Sequence, residues 1–151
     1  MLKVSKLKAH YHDGVDVPVD FGDAGTAVFT LRATGPETFH RAAEIEAEVR
    51  QELNLPVPAE LPMRVRTLIA RRAQIGTTIK GWPEPIAIDD DGEPLKSHNE
   101  DGSLNEAAFL ALLEFPPIYS QLQTEIGKLS LYKRADLEGK GPRSSTSLAG
   151  T

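Results

Sequence analysis

Two histidines near the start of the chain have a spacing that could begin a metal site. His10 and His12 are two residues apart, so on a strand both imidazoles would lie on the same face. A zinc ion needs further ligands, and the remaining histidines, His40 and His98, are distant in sequence. We therefore interpret the pair as surface histidines on a strand, with a metal site as the alternative.

An acidic run at residues 89 to 91, followed by Gly92, offers a second candidate site. In an EF-hand loop the glycine occupies position six, so position one would fall on Ala87, where a carboxylate is needed. The run instead predicts a hairpin turn closed by an Asp-Gly pair. The hydroxyl-rich stretch 144–147 has no histidine or aspartate at an informative spacing. We therefore expect no enzymatic activity, no cofactor and no bound metal.

Composition is that of an ordinary globular protein. The chain has 151 residues, of which 40% are hydrophobic and 26% charged, enough to bury a core of its own. The absence of cysteine excludes disulfides and thiol catalysis and fits a reducing cytosol. No signal peptide is recognisable, and no apolar run approaches the roughly 18 residues of a membrane span. We expect a cytoplasmic protein with no membrane partner.

Alternating apolar residues in the first part of the chain predict a small antiparallel sheet. Residues 2 to 33 are interpreted as strands, most clearly at 15–21 and 26–32, with a turn at 22–25 between them. Pro18 lies on the polar face and favours an edge strand. The expected result is a meander of two or three strands.

Two helices of opposite charge should follow the sheet. The first begins at a capping box, Thr34-Gly35-Pro36-Glu37, and runs to about Leu53 with glutamates on its outer side. Its predicted apolar stripe is Phe39, Ala42, Ile45, Val49 and Leu53. The second, from about Ala59 to Lys80, is basic, and we expect it to lie beside the acidic helix. Its predicted apolar stripe is Leu61, Val65, Leu68, Ile75 and Ile79. Gly81 and Pro83 end it sharply, and Trp82 between them is predicted to be a core residue.

The basic helix leaves nucleic acid open as a partner. Its arginines are Arg64, Arg66, Arg71 and Arg72. The net charge of −5 argues against a dedicated nucleic-acid binder. A charge match with the glutamate-rich helix is therefore the interpretation we favour.

A short hairpin between Pro85 and Leu95 separates these helices from two apolar ones. A second capping box, Ser103 to Glu106, should open a helix from Leu104 to Phe115. Pro116-Pro117 separates it from a last helix that ends near Tyr132. The helix before the prolines is apolar nearly all round, which favours a central core helix; a helix that binds an apolar partner is the alternative.

The fold class that these patterns predict is α+β. It consists of a small N-terminal antiparallel β-meander followed by about four helices, with the short hairpin between the second and the third. We expect residues 1–137 to form one domain. Residues 138–151 are small and polar, which predicts a flexible C-terminal tail.

Three short runs carry a family resemblance. They are Ile79-Lys80-Gly81-Trp82, then Asp90-Asp91-Gly92-Glu93-Pro94-Leu95, then the stretch from Phe109 to Tyr119 with its Leu-Leu pair and prolines. In this order they resemble the tail assembly chaperones of long-tailed, siphovirus-like bacteriophages and prophages. An aromatic residue usually follows the hairpin in that family, and Ser97-His98-Asn99 stands there instead.

The resemblance implies a non-catalytic protein of the host cytoplasm. Such proteins bind the long, helical tape-measure protein and keep it soluble until the tail tube protein polymerises around it. Contact through the last two helices is expected, and a homo-oligomer is compatible with it. The residues predicted for partner contact are Phe109, Leu112, Leu113, Ile118, Leu122 and Ile126. The alternative is a structural virion component, such as a head–tail connector or minor tail protein.

Overall fold

The structure, a computed structural model, describes residues 3–8, 12–88 and 92–137. Its elements are, in order, α1 (Val4–Lys8), β1 (Val15–Asp20), a 3-10 turn (Gly22–Ala24), β2 (Thr26–Leu31), α2 (Pro36–Glu52), α3 (Met63–Gln74), β3 (Ile79–Gly81), α4 (Glu106–Leu113) and α5 (Pro116–Leu137). This is the α+β class that the sequence predicts. The predictions for His10, for residues 89 to 91 and for the tail 138–151 fall outside the described residues.

The β1–β2 hairpin follows the predicted alternation. The two strands pair antiparallel from Val15 opposite Leu31 to Asp20 opposite Thr26. Their inward side chains include Val19 and Phe29, which are buried against the helices. The sheet order is β1-β2-β3, so β1 is an edge strand, as Pro18 predicts.

The third strand comes from a different place than the sequence pattern indicates. Residues Val4–Lys8 form a short helix rather than a strand, and β3 is cut from the end of the predicted helix 59–80. That helix ends at Gln74 because Gly76 has a φ of 81° and turns the chain away. Gly76 is also closely covered, since a Cβ there would lie 2.7 Å from a methyl carbon of Leu104.

Helices α2 and α3 pack side by side through apolar residues. Their shared cluster is Ile45, Leu61, Ile69 and Ala73. Among the described residues no ion pair joins the two helices, so the predicted charge match does not hold them together. Buried positions on α3 recur every four residues towards α2, which leaves Leu68 outside, against the prediction.

The N-terminal half of α2 is also rotated relative to the predicted stripe. Thr38 is buried and its hydroxyl donates to the Thr77 hydroxyl over 3.1 Å, whereas Phe39 is 70% exposed. Leu53, the other end of the predicted stripe, is exposed as well. The contact with the turn before β3 decides which face points inward.

Neither predicted capping box forms. Gly35 is the N-cap of α2 and makes no side-chain cap bond; the Glu37 carboxylate instead accepts a hydrogen bond from Arg32 over 2.7 Å. At α4 the N-cap is Asn105, whose side chain accepts from the Ala108 amide. The predicted helix start at Leu104 is therefore two residues early.

The main core lies between the sheet and the last two helices. Phe29, Trp82 and Phe109 fill its centre, and Leu122 closes it from α5. The short hairpin pairs Ile86 with a partner at Leu95 through N···O distances of 2.9 and 2.6 Å. Of the helices in the described part of the chain, none is long and apolar enough to cross a membrane.

Candidate functional site

A groove of about 660 Å³ opens beside the sheet. Its walls are the β1–β2 turn with the first half of β2 on one side and residues 84–88 on the other, and its floor is the corner between α4 and α5. Three large apolar side chains in it face solvent: Val28 is 37% exposed, Ile88 38% and Phe115 44%. The groove is therefore an apolar surface that the folded chain leaves uncovered.

Trp82 fixes the wall formed by residues 84–88. Its indole N–H donates to the Leu95 carbonyl over 2.9 Å, and its backbone N–H donates to the Ser97 hydroxyl over 3.2 Å. That hydroxyl lies 3.2 Å from the Trp82 carbonyl, to which it can donate. Gly81 permits this approach, because a Cβ there would lie 2.7 Å from the same hydroxyl oxygen.

Aromatic packing ties the two walls to the floor. The rings of Phe21 and Phe29 meet edge to face with centroids 6.3 Å apart, and Phe29 meets Trp82 at 5.9 Å. Trp82 in turn lies 4.9 Å from Phe109 on α4. The groove therefore borders the aromatic centre of the main core.

Prolines create the corner that forms the groove floor. Pro116 is the first residue of α5, so α4 ends at Leu113 and the chain changes direction at Phe115. Phe115 lies directly before α5, lines the groove and is partly exposed. Leu112, from the last turn of α4, lies beneath it and is almost fully buried.

Most of the residues predicted for partner contact are buried in the main core. Phe109, Leu112, Leu113, Leu122 and Ile126 are buried, each at most 3% exposed. Ile118 is half-buried. Leu112 and Ile118 also line the groove, although Leu112 offers a partner almost no accessible surface. Partner contact by the six residues stays a prediction. The apolar all-round pattern of α4 thus reflects burial within the chain.

Three groove residues were not predicted from the sequence as partner contacts: Val28, Ile88 and Phe115. For Val28 the sequence does contain a signal, because an apolar residue stands on the outward face of β2, where a polar one is normal. Phe115 was visible as an aromatic residue immediately before two prolines. For Ile88 no local signal exists, because its exposure depends on where the 84–88 segment lies.

A serine and a histidine meet at a second, smaller recess of about 390 Å³ beside Trp82. The Ser97 hydroxyl oxygen is 2.9 Å from His98 Nδ1. Ser97 is buried, however, and its oxygen is held by both backbone polar groups of Trp82. The Ser97 hydroxyl therefore holds the Trp82 backbone in place, and its hydrogen bonds and burial keep it from attacking a substrate.

Three of the predicted metal and nucleic-acid residues, His12, Arg71 and Arg72, make contacts within the chain. His12 Nδ1 lies 2.8 Å from the Asp13 carboxylate, and this contact lowers the pKa of Asp13. Within the described residues, no three potential ligands come together. On α3, Arg72 pairs with Glu106 of α4 at 3.0 Å, and the Arg71 guanidinium lies 5.1 Å from the centre of the Tyr119 ring.

Glu37 and Tyr119, neither of which lines the groove, have shifted pKa values. The Arg32 guanidinium donates to Glu37 and holds the pKa of that carboxyl below its usual value of 4.5. A second guanidinium nitrogen of Arg32 donates to the His12 carbonyl over 3.1 Å. Burial raises the pKa of Tyr119, which keeps its phenol neutral to higher pH.

Comparison with protein families, with curated proteins and with solved structures finds no match to this chain.

Proposed function

We propose that this protein is a tail assembly chaperone of a long-tailed bacteriophage or prophage. In this proposal it binds apolar segments of the tape-measure protein in the cytoplasm of the host and keeps that protein soluble until the tail tube protein assembles. The protein works without catalysis, and its binding site is the groove at the α4–α5 corner.

The observation that carries the proposal is the uncovered apolar groove. Val28, Ile88 and Phe115 are exposed together on one surface, although each would be more stable covered. A protein that keeps an aggregation-prone partner in solution needs such a surface. The sequence resemblance supports the same region, because its motifs span the segment from β3 to the start of α5.

The chemistry of the groove fits transient holding. Apolar contact is non-directional and contributes about 25 cal/mol for each Å² of buried apolar surface. Many different apolar segments of a long partner could therefore bind with similar affinity. Tail tube subunits that cover the same segments can therefore displace this protein from the tape-measure protein.

Co-expression with the tape-measure protein of the same gene cluster tests the proposal. We expect the partner to stay soluble and to co-purify with this chain, and to precipitate when expressed alone. Mass spectrometry of purified particles completes the test. If the partner precipitates regardless and this protein is stoichiometric in virions, it is a structural component and the proposal is wrong.

A further inference from the structure

The backbone of β2 directs hydrogen-bonding groups into the groove. In an antiparallel pair, residues alternate between those that bond to the neighbouring strand and those whose N–H and C=O point away. The Phe21 amide donates to the Gly25 carbonyl over 2.8 Å, which sets the alternation. Val28 lies opposite Pro18, which has no N–H, at a position that does not bond across. The N–H and C=O of Thr26 and Val28 therefore point away from β1.

The strand on that side of β2 is too short to use these groups. β3 pairs only with Thr30 and Leu31. Continuing the register from Thr30 opposite Gly81 would bring Pro83 opposite Val28, and proline has no N–H to donate. Among the described residues, no backbone hydrogen bond joins Thr26 or Val28 to residues 83–88. The edge of the sheet is thus open where the groove begins.

We propose that the groove binds an extended, apolar segment of the partner as an added strand along Thr26 to Val28. The proposal rests on the proposed function for its choice of partner. In β-augmentation, main-chain hydrogen bonds supply affinity, and alternate side chains of the added strand enter pockets. Here those side chains would reach the apolar floor at Phe115 and Ile118.

Features of the chain favour a foreign segment over a second copy. The outer edge of this sheet places Asp16, Pro18 and Asp20 at the positions that would have to pair, and such residues block strand association. Glu84, a carboxylate in the groove wall, favours a segment with a lysine or arginine beside its apolar residues. The occupant is therefore an apolar partner segment with a basic flank.

The test uses the full chain and fluorescently labelled 12-residue peptides that tile the tape-measure protein. The tightest peptide is remade in two forms, with N-methyl groups on its odd or on its even amides. An added strand bonds through one set only, so one form should lose about 10-fold or more in affinity and the other should change little. Equal effects of both forms, or no binding peptide at all, would overturn the proposal.

Two variants at one position provide the matched protein test. Val28→Pro removes the groove-facing N–H and leaves the bonds between β1 and β2 intact, whereas Val28→Thr keeps that N–H. We expect about 10-fold weaker peptide binding for Val28→Pro alone, with melting temperatures recorded for both. Equal affinity of the two variants would contradict strand addition, as would sedimentation showing that a second copy occupies the groove.

The outcomes separate the binding mode from the biological role. Loss of solubilisation in co-expression with Val28→Pro, but not with Val28→Thr, supports both. If Val28→Pro solubilises the tape-measure protein as well as the wild type does, strand addition is wrong and the chaperone function stands. If the peptides show the odd–even difference while the tape-measure protein still precipitates, strand addition stands and the chaperone function falls.

Discussion

The two edges of the small sheet differ in whether another strand can pair with them. On the outer edge, the backbone groups of Asp16, Pro18 and Asp20 in β1 point away from β2. Two of these residues are charged, and Pro18 has no backbone N–H to donate. On the groove side, the backbone N–H and C=O groups of Thr26 and Val28 in β2 point outward, and neither residue is charged or a proline. The outer edge is closed to pairing by side-chain choice, and the inner edge is left open.

The surroundings of the two edges differ in the same sense. Asp16 accepts a hydrogen bond from the Thr30 hydroxyl, and Asp20 accepts one from the Gly22 amide, so both aspartates also stabilise the hairpin. The open edge instead borders the apolar floor at Leu112 and Phe115. Backbone groups and apolar surface therefore lie together on the groove side of the sheet, as the proposed peptide site requires.

The largest effect is expected from removing support below the open edge. Leu112→Ala should lower the free energy of unfolding by about 2–5 kcal/mol, because it leaves a cavity in the core. Phe115→Ala, at the exposed end of the same floor, should cost less than about 1 kcal/mol. Urea denaturation measures both, and similar losses would show that Phe115 belongs to the core.

Partner binding should distinguish two exposed phenylalanines. Phe115→Ser should weaken binding of a tape-measure peptide by about 10-fold or more, since its ring forms part of the groove floor. Phe39→Ser is the matched control, because that ring is exposed on α2 and does not line the groove. Fluorescence polarisation gives both affinities, and equal losses would place the binding surface elsewhere.

Opening the closed edge should produce weak self-association. Pro18→Val restores a backbone donor at an outward position without disturbing the bonds to β2, so strands of two molecules can pair. We expect the sedimentation coefficient to rise with protein concentration, with a dissociation constant of about 10⁻⁴ M for the dimer. This corresponds to an association free energy of roughly −5.5 kcal/mol. Pro58→Val, in the linker before α3, should leave the association state of the wild type unchanged. A Pro18→Val protein that behaves like wild type would show that the aspartates alone close the edge.

The smallest effect concerns the end of β2 far from the groove. Because Arg32 lowers the pKa of Glu37, this pair stabilises the fold fully above the unfolded pKa near 4.5 and loses its effect as pH falls through the lower folded pKa. Glu37→Gln should flatten the acid side of the stability profile by a small amount, as the carboxylate is mostly exposed. Glu44→Gln is the control. Peptide binding measured above pH 5 should be the same in both variants.

Local patterns predicted the elements whose contacts are close in sequence. The β1–β2 hairpin follows from strict alternation on both sides of a glycine-rich turn, and the Pro18 edge position follows from its missing N–H. The separation of α4 from α5 follows from Pro116 and Pro117. In each case a few neighbouring residues contain the physical cause.

Patterns failed where a distant partner chooses between alternatives. Ile75 and Ile79 are four apart, which suits a helix, but β3 forms because Thr30 and Leu31 offer a strand to pair with. Likewise the face of α2 that is buried depends on Thr77, which lies beyond α3. Long-range pairing is invisible to a local window, since its energy belongs to two segments at once.

The candidate site shows the same division. Neighbouring residues alone predict that the last two helices are apolar, that they break at a double proline, and that the strand with Pro18 lies at a sheet edge. The packing of the helices against the sheet is what buries Phe109 and Leu122 and leaves Phe115 and Val28 exposed. An apolar residue has the same tendency to leave water wherever it stands, and which surface covers it is settled by how the elements pack.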